Sequence, residues 1–128
     1  MHTETRAVAA SHSQLAVIRR WAGETLERLG RRDVADDVRL VVTELLANAI
    51  AHATAPGWMM TVWVRLSAVD RGVRIEVTDP FPDRAPEVRS ESIGSGLQVV
   101  DAVAASWGYE VTPDGKTVWA LVEASDQA

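Results

Sequence analysis

Residues 33–66 read DVADDVRLVVTELLANAIAHATAPGWMMTVWVRL, and one change of period inside this stretch decides the fold class. From Asp33 the apolar residues Val34, Val38, Val41, Val42, Leu45, Leu46, Ala49 and Ile50 recur at spacings of three and four, forming one broad helical face before Pro56-Gly57 stops the helix. The pattern then turns to alternation: Met60, Val62, Val64 and Leu66 share one side, and Thr61, Trp63 and Arg65 the other. Successive side chains of a strand point to opposite faces, so this second pattern is a half-buried strand.

Toward the N-terminus, Leu15, Ile18, Ala22, Leu26 and Leu29 predict an earlier amphipathic helix, with Ser11 or Ser13 to cap its start and Gly30 after its end. Thr3 to Ala9 is a candidate extra strand. Toward the C-terminus, Asp70-Arg71-Gly72 supplies a turn into Val73, Ile75 and Val77, which alternate with Arg74, Glu76 and Thr78 and complete an antiparallel hairpin ending at Asp79-Pro80. Pro80 to about Ile93 carries three prolines, many charges and no period, a length of connection that is usually a functional lid or disordered. Leu97, Val100, Val103, Ala104 and Trp107 predict a third helix directly after Gly94-Ser95-Gly96. Strands follow near Tyr109 to Thr112 and Thr117 to Glu123, joined by a Pro113-Asp114-Gly115 turn. The order predicts an α/β two-layer sandwich (α+β): a mixed, largely antiparallel sheet with about three helices on one face, in a single domain over residues 1–128.

Composition narrows the function classes. The chain has 128 residues, 47% hydrophobic and 24% charged, which is ordinary globular composition. Its 13 Lys+Arg against 18 Asp+Glu give a formal charge of −5, which argues against an electrostatic grip on nucleic acid or an anionic membrane. The absence of cysteine removes disulfides, thiolate zinc sites and cysteine nucleophiles. Met1-His2-Thr3-Glu4-Thr5-Arg6 lacks the apolar core of a signal peptide, and no apolar run is long enough to span a bilayer, so a cytoplasmic protein is expected.

Several polar positions are candidates for chemistry. Glu44 and Asn48 lie four apart at the edge of the apolar face, one turn from each other; the carboxylate suits a general base and the amide oxygen a magnesium ion carried in with a nucleotide. The plain alternative for the pair is surface hydrogen bonding. Asp79 at a strand end most simply starts a turn, yet a carboxylate there can accept a hydrogen bond from an adenine amino group. Gly94-Ser95-Gly96-Leu97 lets backbone N–H groups at a helix entry approach an anion, although helix-entry freedom alone explains such a pair equally well. Lys116 reads as a solvated turn residue and His52 as a helix-end residue. Trp21, Trp107 and Trp119 fall on apolar positions and read as core, whereas an outward-facing Trp63 marks an exposed sheet face for a partner or a second copy.

Taken in order, Glu44-Leu45-Leu46-Ala47-Asn48-Ala49, then Asp79 after a hairpin, then Gly94-Ser95-Gly96-Leu97 opening a helix, then Gly115-Lys116-Thr117, resemble the GHKL (Bergerat-fold) ATPase superfamily. The resemblance covers roughly residues 11–123 and is greatest to the small anti-sigma-factor serine/threonine kinases and related single-domain bacterial regulators. It implies ATP and Mg²⁺ as cofactors, with Glu44 as catalytic base, Asn48 as magnesium ligand, Asp79 on the adenine, Gly94, Gly96 and Leu97 at the phosphates, Thr117 near the adenine, and residues of about 80–93 as an ATP lid. It also implies a sigma factor and an anti-sigma-factor antagonist as partners, and a homodimer. The sequence departs from the family pattern at Phe81, where a small residue is usual, and Pro82 and Pro86 lie in the lid. The expected function is an anti-sigma-factor serine/threonine kinase; the alternative is a non-catalytic module that sequesters a regulatory partner.

Overall fold

The computed structural model describes residues 2–53, 60–80 and 97–125. In chain order the elements are β1 (Thr3–Ala9), α1 (Gln14–Arg28), a 3-10 turn (Arg32–Val34), α2 (Ala35–Ala53), β2 (Thr61–Val69), β3 (Gly72–Asp79), α3 (Leu97–Val103), β4 (Ser106–Thr112) and β5 (Gly115–Glu123). The strands form one sheet in the order β1-β2-β3-β5-β4, and each of the four pairings is antiparallel. Two tight hairpins, through Asp70-Arg71 and Pro113-Asp114, account for β2–β3 and β4–β5. The candidate strand at Thr3–Ala9 forms and pairs with β2.

The alternating apolar residues all turn to one face. Val62, Val64 and Leu66 of β2, Val73, Ile75 and Val77 of β3, and Val118, Ala120 and Val122 of β5 are buried there. Against them pack Ile18, Ala22 and Leu26 of α1, the whole expected stripe of α2 from Val38 to Ile50, and Leu97 and Val100 of α3. Fully burying one such aliphatic side chain contributes about 1.5–3 kcal/mol, so this shared layer is what holds helices to sheet. The central helix, α2, touches both α1 and α3 and lies against β3. It is thereby placed over the strand that ends at Asp79.

Local chemistry sets the helix ends. At the start of α1, Ser13 occupies the capping position but makes no side-chain cap; the Ser11 hydroxyl instead accepts from the Ser13 N–H at 3.4 Å. At its end Gly30 adopts φ +73, and the Gly30 and Arg31 N–H groups bond back to the Glu27 and Leu26 carbonyls, closing the helix by a left-handed residue. Arg28 then clamps β1 to α1 with two hydrogen bonds to Glu4, from Nε at 3.0 Å and Nη2 at 2.7 Å. The guanidinium holds the Glu4 carboxyl below the usual carboxylate range, chiefly through these hydrogen bonds.

Two tryptophan expectations are corrected. Trp107 belongs to β4 and not to the third helix, because α3 stops at Val103 and the Ala105 N–H bonds to the Leu121 carbonyl, drawing the chain into the sheet. Trp119 is not core: it alternates with buried Val118 and Ala120 and so lies on the helix-free face, beneath the Arg74 guanidinium at 4.5 Å from the ring centroid. Gly108 leaves room for that ring, since a Cβ there would sit 3.0 Å from it. Trp63, on the same face, is 45% exposed. No described helix is long and apolar enough to cross a membrane.

Candidate functional site

Glu44 and Asn48 occupy successive turns of α2, both half-buried at the margin of its apolar stripe. Their neighbours Leu45, Leu46 and Ala49 are buried in the core, which fixes the rotation of the helix and holds both polar side chains at the layer edge. The Nδ2 atom of Asn48 is buried and has no hydrogen-bond partner among the described residues. A buried amide left unsatisfied costs about 1–3 kcal/mol, so the position calls for a polar ligand. Nitrogen and oxygen of a carboxamide exchange by a half-turn of the side chain, which presents either a donor for a phosphate oxygen or a hard oxygen for a divalent cation. Asn48 therefore fits a magnesium nucleotide on its chemistry.

The far end of β3 brings a second group together. Asp79 pairs in register with Lys116 of β5, and both side chains turn to the helix-covered face, where they are 1% and 0% exposed. The Lys116 ammonium lies 3.5 Å from Asp79 Oδ2. The expectation of a solvated Lys116 is thus corrected: the residue is as buried as the core valines. Gly115 makes the approach feasible, because a Cβ there would lie 2.2 Å from the Asp79 carbonyl oxygen, and its φ of +158 is close to plain extended backbone.

Thr117 is placed differently from the expectation. It pairs with Thr78, and the two hydroxyls hydrogen-bond at 2.8 Å on the helix-free face of the sheet. Adjacent strand residues point to opposite faces, so Thr117 turns away from the side on which Asp79 lies, and Lys116 takes the position across from the carboxylate. A signal for this was present in the sequence: Val118, Ala120 and Val122 are the apolar parity of β5, and Lys116 continues it.

Leu97 opens α3 and is fully buried, packed into the core beneath the helix start. Gly94, Ser95, Gly96, Phe81, Pro82 and Pro86, with the lid after Pro80, lie outside the described residues, as do Pro56-Gly57, Trp58 and the His52 side chain. The described part of the site thus consists of Glu44 and Asn48 on α2, the Asp79–Lys116 couple at the end of β3, and Leu97 at the head of α3. These residues lie on α2 and on the three elements β3, β5 and α3 that α2 contacts, and they supply a carboxylate, an amide and a buried carboxylate–ammonium couple.

The family model described as the histidine kinase-like ATPase domain matches residues 8–122 of the chain. No curated protein matches the sequence significantly. Among solved structures, the crystal structure of the RsbU and RsbW domains of Rv1364c from Mycobacterium tuberculosis is similar with a TM-score of 0.71 at 18% identity, over 97% of this chain and 32% of that one. The chain spans about a third of the length of that relative, and the likeness is one of fold.

Proposed function

The chain belongs to the histidine kinase-like ATPase family, and we propose that it is an ATP-binding regulator that acts as an anti-sigma-factor serine/threonine kinase, binding a sigma factor and phosphorylating an antagonist protein. The observation that carries the nucleotide site is the buried, unsatisfied amide of Asn48 one turn after Glu44, on the helix packed over the strand that ends in Asp79.

In this reading Asp79 accepts a hydrogen bond from the base amino group, and main-chain N–H groups at Gly94 and Gly96, ahead of buried Leu97, receive the phosphates. The Asn48 amide oxygen would hold Mg²⁺ arriving with ATP, and the metal would offset charge on the transferred phosphoryl group. Glu44 orients the attacking Ser or Thr hydroxyl and takes its proton as oxygen bonds to the γ-phosphorus and the bond to ADP breaks. Catalysis of this kind is chiefly positioning, which a rigid α2 held by its core stripe provides.

The test is a calorimetric titration of the full chain with ATP and ADP, with and without Mg²⁺, repeated on Asn48→Ala. Magnesium-dependent binding that disappears in the variant supports the site; no heat at millimolar nucleotide refutes it. A second reading, sequestration of a protein partner without turnover, is favoured by the helix-free sheet face, which carries the exposed Trp63 and the Arg74–Trp119 stack. A second copy of the chain is a further candidate for that face. Labelled ATP separates the two functions, because a kinase yields a labelled antagonist and a pure binder yields a complex alone.

A further inference from the structure

We propose that the outer edge of β4 is a pairing surface for a second copy of this chain, joining two sheets into one by antiparallel β4–β4 pairing about a two-fold axis at Tyr109. This surface is separate from the nucleotide site and from the helix-free face. A strand at the end of a sheet offers unpaired N–H and C=O groups, and proteins usually blunt such edges with charges or proline. The two ends of this sheet differ in that respect. β1 carries Glu4 and Arg6, and Glu4 is tied to Arg28 of α1. β4 has no proline and a single charged residue, Glu110, and among the described residues its only strand partner is β5. It also carries the two most exposed large apolar side chains of the described residues, Tyr109 at 47% and Val111 at 51%.

The ladder fixes which backbone groups of β4 are free. The Leu121 carbonyl accepts from the Ala105 N–H on the β4 side, and the Ala124 N–H donates to the Arg71 carbonyl on the β3 side, each at 2.8 Å. Backbone groups of successive strand residues point to alternate sides, so odd-numbered residues of β5 bond toward β4 and even-numbered ones toward β3. Ser106, Gly108, Glu110 and Thr112 stand opposite the odd-numbered residues and spend their groups on β5. Trp107, Tyr109 and Val111 stand opposite Ala120, Val118 and Lys116, so their N–H and C=O groups turn outward. A second β4 laid antiparallel with Tyr109 opposite Tyr109 sets Trp107 opposite Val111, and every outward residue then exchanges both bonds with another outward residue. Sliding one copy by two residues leaves outward groups unpaired at an end, and in one direction sets Glu110 against Glu110. The Tyr109-centred register sets Glu110 against Gly108 and avoids that like-charge pair. It also brings aromatic against aromatic at Tyr109 and aromatic against β-branched at Trp107 and Val111, pairings that stabilise sheets. One seven-residue strand is a small interface beside the roughly 1,200–2,000 Å² of stable complexes, so the association is concentration-dependent.

Tyr109 is the only tyrosine of the chain, so a dityrosine bond between two chains reports this contact alone. The full chain is followed by sedimentation equilibrium from about 10 μM to about 1 mM, and the same samples are photo-oxidised with a ruthenium sensitiser and persulfate. The mass is expected to rise toward that of two chains, with a covalent dimer showing dityrosine fluorescence. Val111→Lys puts a charge on the pairing edge, and Tyr109→Pro removes an outward N–H that β5 does not use. Each is expected to weaken association by about tenfold or more, and Val111→Lys to lose the dityrosine product, while Trp63→Lys on the helix-free face associates as wild type does. A chain that stays single at about 1 mM overturns the proposal, as does association that persists in folded Val111→Lys or that falls in Trp63→Lys instead. Should Tyr109→Pro fail to fold, Val111→Lys, a substitution at an exposed position, decides alone.

Discussion

Breaking the Asp79–Lys116 couple from either side should cost far more than removing it whole. Both side chains are essentially without solvent contact, 1% and 0% exposed, and face each other across the ladder between β3 and β5. Lys116→Met leaves a buried carboxylate without its ammonium, and Asp79→Leu leaves a buried ammonium without its carboxylate; each loss is expected to be about 3–5 kcal/mol. For a domain of this size that corresponds to a fall in Tm of about 12–20 °C, at about 4 °C per kcal/mol. The double variant Asp79→Leu/Lys116→Met removes both charges and should recover most of the loss. Urea unfolding followed by tryptophan fluorescence gives all four stabilities, and the cycle isolates the coupling between the two residues. Single variants that each lose less than about 1 kcal/mol, or a double variant no more stable than its weaker parent, would refute the view that the charges are buried as a pair.

Three further outcomes are expected. Glu44→Ala should leave stability within about 0.5 kcal/mol, its side chain being at the layer edge, and lower phosphotransfer by about 10²–10⁴-fold; transfer at the wild-type rate, read from labelled antagonist, removes Glu44 from the mechanism. Glu4, held below its ordinary range by Arg28, adds stability that is present above the unfolded carboxylate range and is lost as pH falls through the lowered folded value, so wild type and Glu4→Gln should converge in urea midpoint at acid pH. Gly72→Ala would place a Cβ 1.9 Å from the Val122 carbonyl oxygen, with backbone and no flexible side chain in the way; a loss of about 1–3 kcal/mol in thermal unfolding is expected, and an unchanged Tm would contradict the strand spacing.

The period of the apolar residues, by itself, determined the helices and strands that make the layers. The stripe from Val38 to Ile50 is buried as spaced, and the alternation from Val62 to Leu66 faces the same core. These features are local, since burial of one face follows from which residues recur every 3.6 or every two positions. The turns give the β2–β3 and β4–β5 neighbours, whereas only the tertiary structure decided the β1–β2 and β3–β5 pairings and where the third helix gives way to β4. Trp107 continues a helical spacing from Val103, yet the bond from Ala105 to Leu121 places it in β4. Trp119 faces Arg74, and Lys116 in place of Thr117 faces Asp79, because β5 inserts between β3 and β4 in one particular register. A shift of one residue would reverse both assignments, and register is set by the summed packing of the whole sheet against its helices, which no single segment carries in its own sequence.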